Sequence, residues 1–238
     1  MLTEVLKSYP KRKIIEVLQE FLTEKRIQGI DMVLSKRIHD VQIGIEAPYD
    51  IHNGLAVIRT AEALGIGHVH FINAIMKKGQ GKNTTKGTLK WVHLERHVSF
   101  EGFLKDKGTS FLVGACADES VCLEELPTDR PLCFLFGNEK KGLSNQAKKH
   151  CDLLFRVPMF GMVESLNLSV AAGITLYDYL KRKREEMGKD GDLTEEEFLE
   201  EKARFYVRSL GVEQSSEILK RSLLSKEGRK ISSFRWRM

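Results

Sequence analysis

The sequence predicts an α/β fold with a mainly parallel sheet and helices on both of its faces. Short apolar segments of strand length alternate along the chain with amphipathic segments of helical period. The segment PLCFLFGN at 131–138 is almost continuously apolar, as is typical of a strand buried on both faces. Strands that alternate with helices generally pair in parallel, because each connection crosses back over the sheet.

The helices are predicted from apolar residues at helical spacing and from residues typical of helix ends. An N-terminal helix is expected over 3–27, limited by Pro10, and a shorter one over 29–37. Asn53 is expected as the N-cap of a helix that ends at Gly65. Further helices are expected at 100–107, from Ser144 as N-cap, at 165–187, and as a pair over 194–225 separated near Gly211.

The strands are expected at 41–47, 68–75, 110–117, 131–138 and 153–159, with 91–98 as a short strand or an irregular segment. The polar, glycine-rich stretch 77–90 has no apolar period and is predicted to be a loop. The predicted organisation is a helical N-terminal arm over 1–39, an α/β core over 40–187 and a helical, basic C-terminal extension over 188–238. Residues 226–238 are expected to form a mobile tail.

Composition excludes several classes of protein. The chain has 238 residues and a formal net charge of +5, with no apolar run that could span a bilayer and no apolar signal region at its start. A cytoplasmic protein without a membrane part is therefore expected. The four cysteines form neither a CxxC pair nor a zinc-ligand spacing, and the histidines form no HExxH motif, so no metal site is predicted.

Basic residues cluster in three places along the chain. Such clusters attract RNA, because each neutralised phosphate releases counterions, but a single cluster is more simply a solvated surface. Three clusters around one core favour RNA. They comprise Lys7, Lys11, Arg12 and Lys13, then Lys181, Arg182, Lys183 and Arg184, then Arg229, Lys230, Arg235 and Arg237 with Phe234 and Trp236 interleaved.

The segment FGNEKKGLS at 136–144 follows the most apolar predicted strand. It places Gly137, Glu139 and Gly142 at the sheet edge where open α/β proteins bind ligands. Glycines there allow a backbone to approach a ligand closely. The segment matches neither GxGxxG nor a phosphate-binding loop, so an ordinary strand–turn–helix connection remains the alternative.

The segment VPMFGMVESLNLSVA at 157–171 runs from an apolar strand through Pro158 and Gly161 into a helix. Ser165 and Asn167 stand at the predicted start of that helix, where both can be ordinary caps. Capping does not explain a glycine among apolar residues, which indicates a backbone shaped to a flat apolar ligand.

The segment IHNGLAVIRTAEALG at 51–65 places Asn53 and Arg59 nearly two helical turns apart. They do not share one helix face but can converge on one cavity. Arg59 stands among apolar residues, and arginine is seldom buried without a partner. The alternative is an arginine that extends to solvent from a half-exposed face.

These three segments resemble, in the same order, the three signature motifs of the SpoU branch of the SPOUT RNA methyltransferases. Two further segments, LSKRIHDVQIGIEA at 34–47 and TTKGTLKWV at 84–92, resemble the TrmH type, which methylates the ribose of a D-loop guanosine, guanosine 18, in tRNA. The resemblance covers about residues 25–187. Glu164 departs from the glutamine usual in the family, and residues 188–238 match nothing in its pattern, which leaves the target nucleotide open.

The resemblance implies a C-terminal trefoil knot, a homodimer and S-adenosyl-L-methionine bound in a bent shape by the knot loops. The implied cofactor-binding residues are Gly114, Gly137, Val157, Met162 and Leu166. The implied catalytic residues are Arg59, Asn53, Glu139, Ser165 and Asn167. Contacts with tRNA are expected from Lys86, Lys90, Trp91, Lys181, Arg182, Lys183 and Arg184, although Trp91 also suits a core position.

The implied reaction is attack of a ribose 2′-oxygen on the sulfonium methyl group. Arg59 would stabilise the developing alkoxide and bind the adjacent phosphate, because a guanidinium keeps its proton and is a poor base. Asn53 would position Arg59 or the ribose, and Glu139 would orient Asn167 or Arg59. Alignment of the reactants would supply most of the rate.

Three alternatives remain open from the sequence. The first keeps the chemistry but changes the target to ribosomal RNA or another tRNA loop. The second is a non-catalytic RNA-binding protein on the same scaffold, which the intact set of motif residues opposes. A dinucleotide-binding oxidoreductase ranks last, because the glycine fingerprint for phosphate binding is missing from the sequence.

Overall fold

The structure is a computed structural model that describes residues 2–74 and 82–226. It divides the chain into two units, Lys36–Asp192 and a second one that joins the residues up to Ser35 with those from Leu193 onward. The domain boundaries expected after residues 39 and 187 stay a prediction. The basic cluster at 229–237, the expected tail from 227 onward and residues 77–81 of the predicted loop lie outside the described residues. The loop prediction was wrong for 82–90, which holds a short α-helix at Lys82–Thr85 and a 3₁₀ helix at Thr88–Lys90.

A six-stranded sheet forms the centre of the larger unit. All its strand pairs are parallel, in the spatial order β3-β2-β1-β5-β4-β6. This confirms the predicted mainly parallel sheet, and every residue of β5 is buried, as its apolar sequence predicts. The strands are β1 (Ile38–Glu46), β2 (Ile66–Ile72), β3 (His93–His97), β4 (Phe111–Ala115), β5 (Leu132–Phe136) and β6 (Leu153–Phe155).

Helices cover both faces of this sheet, as predicted. One apolar cluster packs residues of α4 and α8 against the sheet, including Leu55 and Leu176. A second cluster packs α6 and α7 against the other face, including Phe103 and Ala147. The helices of the unit are α4 (Ile51–Ala63), α5 (Lys82–Thr85), α6 (Phe100–Asp106), α7 (Asn145–His150) and α8 (Leu168–Met187). The trefoil knot implied by the resemblance stays a prediction.

One helix start near the motif segments differs from expectation. The prediction that Asn53 caps α4 was wrong, because the Asp50 carboxylate accepts the hydrogen bond from the His52 amide and performs that role. Asn167 caps α8 by accepting from the Ser169 amide. Ser144 is confirmed as the N-cap of α7. The side-chain amide of Asn53 is therefore available for contacts outside its own helix.

The smaller unit is helical, with α1 (Leu2–Ser8), α2 (Lys11–Leu18), α3 (Glu24–Leu34), α9 (Glu195–Leu210) and α10 (Val212–Lys226). The predicted helices over 3–27 and 29–37 were wrong in their bounds. Pro10 separates α1 from α2, and Thr23 starts α3 by capping the Arg26 amide. The predicted break at Gly211 is confirmed, with φ at 94°. No helix among the described residues has the length and apolar character to cross a membrane.

Candidate active site

A cavity of about 390 Å³ lies beyond the carboxyl ends of β4, β5 and β6. This is the edge at which open α/β sheets bind ligands, and the volume lies in the range of small-molecule sites. Three loops form its walls: 115–118 after β4, 136–143 after β5, and the segment between β6 and α8. The residues from the last segment are Val157, Met159, Glu164, Ser165, Leu166 and Leu168.

The loop after β5 is held in one shape by its glycines. A Cβ atom on Gly137 would lie 2.4 Å from the Gly142 carbonyl carbon and from the Leu143 amide nitrogen, too close for any side chain. The loop closes through two backbone hydrogen bonds between Asn138 and Gly142, of 3.0 and 2.7 Å. Gly142 has φ at +66°, a conformation that favours glycine. Both glycines are therefore required by the turn itself.

One hydrogen-bond network joins the three motif segments at this cavity. Glu139 Oε1 accepts from Asn53 Nδ2 at 2.8 Å, and Asn53 Oδ1 accepts from Asn167 Nδ2 at 3.2 Å. The other Glu139 oxygen accepts from the Tyr49 amide at 2.6 Å. Asn167 Oδ1 accepts hydrogen bonds from both the amide and the hydroxyl of Ser169. The sequence placed these three side chains in one site, and the structure brings them together.

A second set of polar contacts joins the end of β1 to the loop after β5, and the sequence analysis did not predict it. Glu46, only 5% exposed at the end of β1, accepts from both the amide and the hydroxyl of Ser144 at 2.9 and 2.7 Å. Asn138 donates to the Ala47 carbonyl at 2.7 Å. No sequence signal identified Glu46, because a carboxylate that ends an apolar strand is as consistent with a solvated loop.

The predicted cofactor-binding residues fall into two groups. Gly137, Val157 and Leu166 line the cavity, as does Ser165. Gly114 is not among the lining residues. A Cβ atom there would lie 2.7 Å from both Cys151 Sγ and the Leu154 side chain, so this glycine is required by close packing. Residues 115–118, which directly follow Gly114, line the cavity, and the expectation that a loop near Gly114 contacts the adenosine part of the cofactor stays a prediction.

Met162 also lies outside the cavity wall. Its side chain is fully exposed, as is Phe160, and Val163 is 64% exposed. The expectation that Gly161 fits its backbone against a ligand finds no support in the single chain, since nothing lies within 4 Å of a Cβ built there. This apolar loop faces solvent in the single chain.

Arg59 projects from the middle of α4 to the surface. Its side chain is exposed, and within the described residues it makes no hydrogen bond or ion pair. It lines a separate hollow with Thr60 and Thr84 rather than the cavity. The structure therefore brings Asn53 to the motif network but leaves Arg59 apart from it in a single chain.

The basic block of α8 differs from the expected RNA-binding surface. Lys183 is 2% exposed, bonds the Thr128 carbonyl and pairs with Asp40, so its assignment as an RNA contact was wrong. Arg182 donates to the carbonyls of Leu123 and Leu126. Arg184 likewise donates to backbone carbonyls, those of Lys36, Leu64 and Asp190. These three cations hold backbone segments in place.

The other expected RNA contacts keep their exposure. Lys181, which pairs with Glu185 at 4.0 Å, and the loop residues Lys86 and Lys90 are exposed. Trp91 is half-buried and follows the short 3₁₀ helix Thr88–Lys90. These residues remain predictions as contacts with RNA.

Comparison with known proteins identifies the family. The sequence profile of the SpoU rRNA methylase family matches residues 40–177 of this chain. The chain belongs to this family. A relative from Aquifex aeolicus, named tRNA (guanosine(18)-2′-O)-methyltransferase, is 34% identical over 176 residues, covering 72% of this chain and 83% of the relative. The predicted family is thereby confirmed.

Solved structures of the family share the fold. The A. aeolicus TrmH/SpoU tRNA modifying enzyme superposes with a TM-score of 0.61 and 30% identity, covering 85% of this chain and 97% of that one. The SpoU methyltransferase AviRb from Streptomyces viridochromogenes, solved with AdoMet, superposes with a TM-score of 0.55 and 25% identity, covering 63% and 62%. The predicted α/β class is confirmed by this likeness and by the parallel sheet.

Proposed function

We propose that this SpoU-family chain transfers a methyl group from S-adenosylmethionine to the ribose 2′-oxygen of guanosine 18 in tRNA. The observation that carries the proposal is the network that joins Glu139, Asn53 and Asn167 at the rim of the cavity. The target nucleotide is taken from the names of relatives such as the A. aeolicus protein.

The cavity suits S-adenosylmethionine in size and in chemistry. Gly137, Val157 and Leu166 would hold it by backbone and apolar contacts, while Glu139 and Glu164 offer carboxylates on the walls for a cation. The cofactor supplies a methyl group bound to a positively charged sulfur. The solved AviRb complex with AdoMet supports this assignment.

The chain itself would position the ribose and stabilise its ionised oxygen. Both oxygens of Glu139 are occupied by donors, so the Asn53 amide is held in one orientation and in turn fixes Asn167. Each of the two amide groups keeps one N–H for an RNA oxygen. The cofactor would supply its methyl group to the 2′-oxygen, the carbon–sulfur bond breaking as the carbon–oxygen bond forms, and the hydroxyl proton would pass to solvent water. Arg59 would stabilise the alkoxide and bind the neighbouring phosphate.

We propose in addition that two copies of the chain associate. Val170, Ile174 and Tyr177 lie at i, i+4 and i+7 on α8 and are 48%, 43% and 66% exposed, which makes one apolar stripe. Gly173 lies within this stripe, and a Cβ atom built on it would lie 3.9 Å from the side chain of Thr60 in α4. Thr60 directly follows Arg59 in the sequence. Association along the stripe would therefore bring Arg59 to the border between the two copies.

Sedimentation of Ile174→Asp tests this association, with Val98→Asp as the control at another exposed apolar position. A dimer that persists in Ile174→Asp would contradict an interface along this stripe.

The function is tested with an unmodified tRNA transcript and methyl-labelled S-adenosylmethionine, followed by nuclease digestion and mass spectrometry. The expected product is 2′-O-methylguanosine at position 18, lost in a transcript with 2′-deoxyguanosine there. The family is named for ribosomal RNA, so ribosomal fragments form the second arm. Methylation of ribosomal fragments alone would replace tRNA by ribosomal RNA as the substrate. If no RNA is methylated although the cofactor binds, the enzymatic function is rejected.

A further inference from the structure

A group of histidines and carboxylates lies between β2 and β3, near the edge of the sheet. His70 and His97 are 2% and 7% exposed, and their nitrogens Nδ1 and Nε2 are 2.9 Å apart. An oxygen of Glu95 lies 3.5 Å from His70 Nδ1. The ligand atoms of these three residues all lie within 4.8 Å of one another. Neither the family motifs nor the proposed mechanism uses them.

We propose that His70, His97 and Glu95 bind a divalent transition-metal ion of the Zn²⁺ type. Two imidazoles and one carboxylate are a ligand set that such ions accept, with further positions left for water. At metal–ligand distances of about 2.05 Å, separations of 2.9 and 3.5 Å correspond to angles of about 90° and 117° at the metal. Both angles suit a four- or five-coordinate ion.

The outward-facing nitrogens are already held as metal-bound histidines require. His70 Nε2 lies 2.9 Å from Gln42 Oε1, which only accepts, so that nitrogen carries a proton and Nδ1 is left with a lone pair. His97 Nδ1 lies 3.4 Å from an Asp106 oxygen at the end of α6. Metal-ligating histidines generally donate their other N–H to a carbonyl or carboxylate oxygen in this way.

Without a metal, the same geometry is harder to satisfy. His97 Nε2 must then donate to His70 Nδ1, so His97 can also donate from Nδ1 to the Asp106 carboxylate only as an imidazolium, with a proton on both nitrogens. A metal between the inner nitrogens lets His97 donate to Asp106 while both imidazoles are neutral.

Strand register explains why the sequence did not show this site. Glu95 stands opposite His70 in the parallel ladder, and His97 stands opposite Ile72. Residues two apart on a strand face the same side, so Glu95 and His97 converge on His70 although no motif spacing links them. The metal would link the edge strand β3 to β2, and the contact of His97 with Asp106 would link the site to α6.

The test uses the full, tag-free protein after removal of metals with a chelator. Zn²⁺ is titrated against a chromophoric competitor, with ¹H–¹⁵N spectra of the imidazoles recorded before and after. We expect one ion per chain, with ¹⁵N shifts at His70 Nδ1 and His97 Nε2. Glu95→Gln and Asp106→Asn should each raise the Kd by at least about tenfold, the effect typical of altered ligands and their partners. His150→Gln, which removes an exposed histidine elsewhere, should leave it unchanged.

Three outcomes would overturn the site. They are no saturable binding by the unaltered protein, the same Kd in Glu95→Gln, and ¹⁵N shifts confined to other histidines such as His68 and His93. Because the spectra are read on the unaltered chain, a variant that fails to fold does not obscure the result. The readouts do not involve methyl transfer, so the proposed function is tested separately.

Discussion

The Asn53 amide and the Glu139 carboxylate are joined by a hydrogen bond of 2.8 Å across 86 positions of sequence. The bond links the first turn of α4 to the loop after β5, and Tyr49 donates its backbone amide to the same carboxylate. Glu139 therefore orients two donors and sets the position of Asn53, whose side-chain oxygen in turn accepts a hydrogen bond from Asn167. The catalytic importance that we propose for Glu139 follows from this double role.

Glu139→Gln should lower kcat while the chain stays folded. An amide offers one acceptor where the carboxylate offers two, so either Tyr49 or Asn53 would face an N–H group. An unsatisfied donor costs about 1–3 kcal/mol, which corresponds to a loss of about 5- to 160-fold in rate if it arises in the transition state. Single-turnover methylation at saturating cofactor measures it. Glu124→Gln, an exposed acid outside the cavity, is the control, and equal rates in both variants would contradict the role.

Arg59→Ala should lose methyl transfer but keep cofactor binding. The side chain lies outside the cavity wall, so its removal does not change the cofactor's surroundings in the chain. Loss of one group that stabilises a developing oxyanion costs about 10²–10³-fold in rate. Calorimetry with S-adenosylhomocysteine and a methylation assay measure the two properties. Arg130→Ala removes another exposed cation as control, and equal losses of binding and rate in Arg59→Ala would reject the assignment.

How much of this site the sequence predicts depends on the scale of the interaction. Strand positions and the three site segments follow from local patterns, because apolar runs and turn residues act over a few positions. The partnership of Asn53 with Glu139 was not predicted, since it depends on β1 and β5 being neighbours in the sheet. The N-cap was misplaced for a local reason: Asp50 and Asn53 both suit it, and only the entry of the chain into α4 decides between them.

Charge patterns were less informative than apolar ones. Lys183 belongs to a continuous run of cations, which suggests a solvated surface, yet its ammonium group is buried against Thr128 and Asp40. A run of like charges on a helix points in several directions, so its members meet different surroundings. Only Lys181 of that run keeps the surface role that the sequence suggests.

Gly137→Ala should abolish cofactor binding, whereas Gly161→Ala should not. The added methyl group at Gly137 would meet the backbone of Gly142 and Leu143 at 2.4–2.5 Å, so the loop that walls the cavity must open. At Gly161 nothing lies within 4 Å, and its φ is not in the left-handed region. Calorimetric titration with S-adenosylhomocysteine compares the pair. Unchanged affinity in Gly137→Ala would show that the loop does not form the binding surface.

Bound cofactor should protect Cys116 from alkylation but leave Cys122 reactive. Cys116 lines the cavity and Cys122 does not, although both are partly exposed. Burial raises the pKa of Cys133 and of Cys151 to about 12, so neither forms the reactive thiolate near pH 8. With S-adenosylhomocysteine at ten times its Kd, about one site in eleven stays empty, and Cys116 should react about tenfold more slowly.

Peptide mass spectrometry after timed iodoacetamide treatment gives the rate at each cysteine. Cys122 serves as the control within the same molecule, because it reports any general change in reactivity. Equal slowing at Cys116 and Cys122 would indicate a global effect of the ligand. No slowing at Cys116 would place the cofactor elsewhere.

Ser144→Ala should destabilise the larger unit by more than an ordinary capping mutation. The hydroxyl accepts from the Ala147 amide at 3.0 Å and donates to the buried Glu46 carboxylate at 2.7 Å. Loss of the cap costs about 1 kcal/mol, and the Glu46 oxygen left without that partner adds about 1–3 kcal/mol. Ser99→Ala, which removes the cap of α6 without a buried carboxylate behind it, should cost about 1 kcal/mol. Urea unfolding compares the two, and equal losses would mean that Glu46 finds another donor or water, so that the support of the loop after β5 does not depend on this serine.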